Sequence, residues 1–206
     1  LKDWLPYGVA MTAYDFTRGA ADQLGMPIQE QLPIAVDKAL FFGHVPNVVM
    51  QDWLGPFDKF HPAWWQVPMA LMYATHFVVP FVIPAVLWMR NRERFRQWRR
   101  RFFSVVGLGL VTYALLPAVP PWMASQHGRI GKIERIVNYG WRRIGVTIAD
   151  RMFDMGSRTF NVVAALPSLH AAFTLVATAY FWKRASKWWR PILVIYPLGM
   201  AMTLVT

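Results

Sequence analysis

The sequence contains no cysteine. Disulfides and thiolate metal sites are therefore excluded, and the redox compartment is left open. Acidic residues are scarce too, 11 against 22 basic, for a net charge of +11. No internal repeat, low-complexity linker or recognisable signal peptide is present. The first residue is Leu1 and not Met, so further N-terminal sequence is expected ahead of it. Charge itself is thin, at 16% of residues, and several long stretches carry none. Arginine and lysine bunch between those stretches, which is the pattern of a polytopic membrane protein and not of a soluble domain. A basic excess can also mark a nucleic-acid binder. Here the basic clusters flank apolar runs and suit lipid headgroups and topology instead, so no nucleic-acid partner is expected.

What is present is apolar: 55% of residues are hydrophobic, with 11 Trp, 14 Phe and 15 Pro. The expected fold is all-α, a transmembrane helix bundle in one integral membrane domain spanning 1–206. Its spans are read at about 4–24, 63–89, 102–119, 163–182 and 191–206, joined by amphipathic interfacial segments at 25–62 and 120–162. Within the first span Asp15 and Arg18 lie three residues apart and can pair on one helix face. The 63–89 run has no charged residue, and His76 sits near its middle. An intramembrane His needs a partner, so it is a functional candidate. Seven arginines and one glutamate then fill 90–101, read as a cytoplasmic loop. The 102–119 span ends at Pro117-Ala118-Val119-Pro120-Pro121-Trp122, where helix cannot continue.

Short amphipathic helices are expected at 37–42 and 48–54. A longer one, or two, is expected in 123–162, because Ile130, Ile133, Val137, Trp141, Ile144, Ile148 and Met152 recur at helical spacing. One or two of the arginines in that segment are expected to meet phosphate. Lys183, Arg184, Lys187 and Arg190 mark a second cytoplasmic loop. The last run, 191–206, would measure ~24 Å as a helix against a ~30 Å hydrocarbon core, so the sequence is expected to stop inside a span. Alternation puts 90–101 and 183–190 on the cytoplasmic side and 123–162 on the other.

The stretch that carries chemistry is Ala164-Ala165-Leu166-Pro167-Ser168-Leu169-His170-Ala171-Ala172-Phe173. Proline is tolerated in a helix's first turn. Ser168 and His170 would then lie among unpaired amides at the positive end of the helix dipole, an anion site. A serine hydroxyl can donate to an anion, and a histidine can deliver a proton near neutral pH. The plainer alternative is a helix start with a serine cap and a polar histidine at the membrane boundary.

This stretch resembles the second signature of the type 2 phosphatidic acid phosphatase superfamily. Leu169, between Ser168 and His170, is typical of its inositol phosphorylceramide synthase-like branch, where other members have Gly. Pro117 to Trp122 resembles that branch's proline-rich element, and Thr75-His76-Phe77-Val78-Val79-Pro80 its earlier span. The similarity runs from roughly Tyr14 onward, and actinobacterial members are the most similar. The resemblance implies a six-helix membrane enzyme that acts on lipid phosphates without metal or other cofactor, on the extracytoplasmic face, through a phosphohistidine. It implies that His170 protonates the leaving group while Ser168 and nearby amides hold the phosphoryl oxygens. The nucleophilic histidine of the family lies one span further on, so here it is expected beyond residue 206. The family's first signature, a Lys and an Arg-Pro pair, is absent. Arg158 and Asn161 stand in as phosphate contacts by proximity to Ser168, and His76 and Leu169 complete the candidate substrate-binding set. The competing reading is a non-enzymatic transporter or scaffold that uses Asp15, Arg18 and His76 as a polar relay.

Overall fold

The computed structural model describes residues 2–20, 26–146, 148–149, 151 and 166–206. The side chains of Asp15 and Arg18, and all of Arg158, Asn161 and 163–165, lie outside the described residues. Nine helices are named among the described residues: α1 Leu5–Ala20, α2 Gln31–Leu40, α3 Pro46–Leu54, α4 Gln66–Arg90, α5 Arg92–Leu115, α6 Pro121–Gln126, α7 Tyr139–Arg143, α8 Leu169–Trp182 and α9 Arg190–Val205.

The arrangement is a bundle of long helices with a cap of short ones at one end. The bundle core joins α1, α4, α5 and α8 through Tyr7, Tyr14, Leu87, Phe95, Trp98, Phe102, Tyr113, Phe173 and Tyr180. The outward faces are apolar as well. Phe77, Val78 and Val82 on α4, Leu108 and Val111 on α5, Leu175 on α8 and Ile195 and Leu198 on α9 are all exposed. Apolar side chains inside and outside alike describe a bundle solvated by lipid, where each helix satisfies its own backbone. α4 is the helix long and apolar enough to cross a membrane among the described residues, at 25 residues. Pro80 and Pro84 lie within it. The carbonyl of Pro80 accepts the Tyr7 hydroxyl from α1, which supplies that acceptor with a donor in the bundle interior.

The structure corrects the reading of 90–101 as a loop. Asn91 is the sole break, with extended backbone and a side chain that accepts from Arg94 N at 2.9 Å. α5 then runs through all the following arginines to Leu115. A capping asparagine starts the helix at once, and Glu93 in the first turn pairs with Arg96 at 2.6 Å. The charges therefore sit on a helix that extends past the apolar zone. Its buried side faces inward through Phe95, Trp98 and Phe102. Arg184 beyond α8 donates to Gln97 at 3.0 Å, and the Tyr180 hydroxyl donates to Arg94 O at 3.0 Å. The two basic clusters thus share one end of the bundle, as the alternation requires.

The cap at the other end has its own small core of Ile34, Val45, Val119 and Ala124. α3 matches the expected 48–54 segment closely, whereas α2 starts six residues ahead of the expected 37–42 segment and ends at Leu40, where the chain turns through Phe42 at positive φ. Pro121 opens α6 as an N-terminal proline, after the helix break read from the sequence. The amphipathic helix expected from Ile130 onward is not continuous, because 127–138 is not helical. Its backbone is tied to side chains instead. Ile133 N donates to Ser125 Oγ at 2.9 Å and Glu134 N to Gln51 Oε1 at 2.8 Å, while Gln51 Nε2 returns a bond to Glu134 O at 2.7 Å. Helical spacing there reflects burial against the cap, with Ile136 only 5% exposed.

The short α7 is held flat against the start of α4. Gly140 makes this possible, since a Cβ there would come within 2.2 Å of Gln66 O and 2.7 Å of the Ala70 Cβ. Gly140→Ala is expected to push α7 away and destabilise the protein by about 1–3 kcal/mol. The check is thermal unfolding of the detergent-purified variant; an unshifted midpoint would contradict this packing.

Candidate active site

α8 begins where it does because Ser168 caps it. Its backbone is extended (φ −72°, ψ 112°), and its Oγ accepts from Ala171 N at 3.5 Å. Pro167 accordingly lies one residue ahead of the cap and not within the first turn, a correction to the sequence reading. Proline needs no amide partner there, while serine is the better cap. The Pro167 carbonyl accepts the Tyr113 hydroxyl of α5 at 2.7 Å. Leu169 is buried and seated over Gly109, where a Cβ would stand 2.9 Å from its Cδ2. The signature is thus pinned to α5 on both sides of the cap. Since Ser168 accepts in its cap role, its O–H is still able to donate to an anion. The cap and the anion contact are therefore compatible.

The next residue, His170, is clamped between rings. His170 stacks on Tyr73 with centroids 4.7 Å apart and on His76 at 3.7 Å. His76 is stacked in turn on Phe173 at 5.0 Å, Phe173 packs against Phe102 at 4.7 Å, and Phe102 stacks on Tyr7 at 5.5 Å. A column of rings therefore runs from the bundle core to the helix start. It fixes the plane of the imidazole and its distance from Ser168. His76, a candidate from the sequence, is brought directly onto His170, two helices having converged to do it.

The column ends, through Tyr73 and His170, at a cleft of about 400 Å³ between the bundle and the cap. Ser168, Leu169 and His170 form part of its wall with Tyr73, Tyr113 and Tyr14. An α-helix gives its first-turn amides no intrahelical acceptor, and here that turn lines the cleft. The opposing wall carries Asp37, Glu134 and Arg135. Burial pushes the Asp37 carboxyl above its usual range. Arg135 lies over the Trp122 ring at 5.7 Å and, among the described residues, is the arginine of the 123–162 segment that lines the cleft. Among the described residues no three His, Asp or Glu side chains gather closely enough to hold a metal ion.

Sequence reasoning missed four contributors. Tyr73 lies three residues before His76, one turn away on the same face of α4, a spacing that pointed to it. Tyr113 gave no such signal, because its role depends on meeting Pro167. Of the buried polar pair on α3, Gln51 was read only as part of an amphipathic helix at 48–54, and Asn47 lay just ahead of it. Asn47 Nδ2 donates to Leu204 O at 2.9 Å, which ties the cleft floor to the end of α9.

A charged clasp ties the start of α2 to the turn after α6. Glu30 accepts from Arg129 Nε at 2.7 Å and is 2.9 Å from His127 Nδ1. Beside it, Gln29 N donates to Pro117 O at 2.7 Å and Val119 N to Gln29 O at 3.1 Å. The clasp thus holds the start of α2 against the segment that follows α5.

Comparisons with known proteins bear on this arrangement. A family model described as the PAP2 superfamily matches residues 34–206. Phosphoinositol dihydroceramide synthase of Bacteroides thetaiotaomicron is 29% identical over 207 residues, covering 96% of this chain and 65% of that protein. The chain therefore spans about two thirds of the length of that curated relative. No solved structure matches it.

The clasp generates a pH prediction. Hydrogen bonds from Arg129 and His127 hold the Glu30 carboxyl below the usual carboxylate range. A depressed carboxylate stabilises the fold above its unfolded-state value, about 4.3, and that stability is lost as pH falls through the lower folded value. Limited proteolysis of the clasped segments should therefore accelerate below about pH 4.3 in the wild type. In Glu30→Gln cleavage should already be faster at neutral pH and respond less to acid. Identical acid profiles for the two would refute the clasp.

Proposed function

We propose a function from one premise: the chain belongs to the PAP2 superfamily. On that premise it is a membrane phosphotransferase or phosphatase that acts on a lipid phosphate. The observation that carries this reading is the meeting of Ser168 and His170 on one cleft at the start of α8, with His76 stacked behind His170. A cleft at the end of a lipid-solvated bundle suits a substrate whose tail stays in the bilayer and whose phosphate reaches the polar cap. The cleft end lies opposite the arginine-rich end, and positive residues favour the cytoplasmic side. The site accordingly faces away from the cytoplasm.

The chemistry divides among groups of known reach. The phosphoryl oxygens lie against the first-turn amides of α8 and the Ser168 hydroxyl, where the helix dipole favours negative charge. Arg158, Asn161 and Arg135 add contacts to them, and Leu169 fixes the turn from beneath. A histidine attacks phosphorus in line; the bond to the leaving oxygen breaks as a phosphohistidine forms. By the resemblance that nucleophile belongs to a further span and is none of the residues named above. His170 gives its proton to the leaving oxygen and takes one from the acceptor in the second half of the reaction. His76 and Tyr73 hold the His170 ring in place. No step calls for a metal ion or cofactor.

The acceptor distinguishes phosphatase from transferase. The Bacteroides protein is named for making phosphoinositol dihydroceramide. By similarity the favoured reaction here moves a phosphate-bearing polar head onto a lipid hydroxyl, with water as the lesser acceptor.

The test uses full-length protein in detergent with a phosphoinositide donor and a ceramide acceptor. His170→Ala is expected to lower head-group transfer by roughly 10²–10⁴-fold while leaving expression intact. Ser168→Ala is expected to lower it less, with a cap penalty of ~1 kcal/mol in stability. Unchanged turnover in His170→Ala would remove that residue from the mechanism. Substitution of Asp15 and Arg18 should affect turnover less than substitution of His170. The reverse order would favour the polar-relay alternative.

A further inference from the structure

The arginine-rich end holds a second cavity, of about 470 Å³, remote from the catalytic cleft. Its walls are Val82, Ile83, Val86 and Leu87 of α4 and Phe181 of α8, and its mouth carries Arg90, Asn91 and Arg94. Val82 and Val86 are exposed, so the apolar wall opens sideways to the bilayer. Several other arginines of this end are engaged by partners within the protein. Arg92 pairs with Asp3 at 3.3 Å, Arg96 pairs with Glu93 at 2.6 Å, and Arg99 donates to Asp3 O at 3.1 Å. Arg184 donates to Tyr180 O at 2.5 Å and to Gln97 at 3.0 Å.

Arg90 and Arg94 stand apart. Neither guanidinium has a hydrogen-bond or ion-pair partner among the described residues, and the two flank the same cavity. The mouth coincides with the first turn of the 24-residue α5. Its amides and dipole add positive potential there, while the Asn91 side chain is already spent on Arg94 N. An apolar slot that ends in two uncompensated guanidiniums matches a ligand with a hydrocarbon tail and an anionic head. Guanidinium suits phosphate oxygens through its forked donors.

We propose that this cavity is a binding site for one anionic phospholipid of the leaflet at the arginine-rich end. An acyl chain lies along Val82, Ile83, Val86 and Phe181, and its phosphate is held by Arg90 and Arg94. The site is independent of the chemistry proposed for the opposite end, and it braces the junction of α4, α5 and α8.

The experiment is native mass spectrometry of the full chain in detergent, titrated with phosphatidylglycerol or with phosphatidylcholine of the same acyl chains. One phosphatidylglycerol should be retained at concentrations where phosphatidylcholine is not. Arg90→Gln with Arg94→Gln should weaken that retention by roughly tenfold or more. Arg100→Gln with Lys183→Gln, an equal loss of charge at the same end, should leave it unchanged. Val86→Trp, which fills the slot and keeps both arginines, should abolish it, and this covers a double arginine variant that fails to fold. The proposal is overturned by equal retention of the two lipids, or by an unaffected Arg90/Arg94 variant. It is overturned too if the control pair weakens retention equally, or if soluble glycerol phosphate displaces the lipid at equal concentration.

Discussion

Leu169 rests in the notch that Gly109 leaves on α5, and the geometry of the site follows from that contact. A buried apolar residue between Ser168 and His170 forces its two neighbours away from the core and toward the cleft. The Tyr113 hydroxyl then fixes the chain one residue before the cap, and the rings of Tyr73 and His76 fix it two residues after. Ser168 and His170 are therefore held by groups other than themselves. That is what a preorganised site requires, because a side chain that must first find its orientation loses part of its effect.

The two ends of the bundle solve opposite problems. At the arginine-rich end, charge sits on helix continuations, steadied by Glu93, Asp3 and backbone carbonyls. At the cleft end, backbone that is neither helix nor sheet must find partners near the membrane. Side chains supply them: Gln51 pairs with both backbone groups of Glu134, and the Ser125 hydroxyl accepts from Ile133 N. Irregular backbone is tolerated at such depth only where it is covered by protein or lines a cavity. Here it does both, and the cavity is the one that holds the signature.

Much of this was legible in the sequence. The uncharged run 63–89 gave α4 almost to the residue, and the Pro-Ser-Leu-His stretch gave the start of α8 and its two polar side chains. Helical spacing was a poorer guide where the chain folds back on the cap. Ile130, Ile133 and Val137 recur as in a helix, yet the backbone there turns to side chains, Ile133 N bonding to Ser125 and Glu134 N to Gln51. Charge misled at 90–101, since a run of arginines reads as loop and nothing local reveals that Asn91 starts a helix through it. The Tyr113 anchor and the Gly109 and Gly140 notches were out of reach. Each depends on a surface contributed by a distant segment, and a glycine does not announce its neighbour. The meeting of His76 with His170 was half visible: both were singled out, but the sequence held no distance between them.

The central claim is that a phosphate docks at the capped start of α8, beside Ser168 and the stacked histidines. The most direct measurement is a structure of the protein with a non-hydrolysable lipid phosphonate. The account predicts the phosphonate oxygens within hydrogen-bond reach of the Ser168 hydroxyl, the α8 first-turn amides and the His170 ring, with the tail leaving toward the bilayer. A phosphonate seated elsewhere, with the start of α8 closed against the cap, would contradict it.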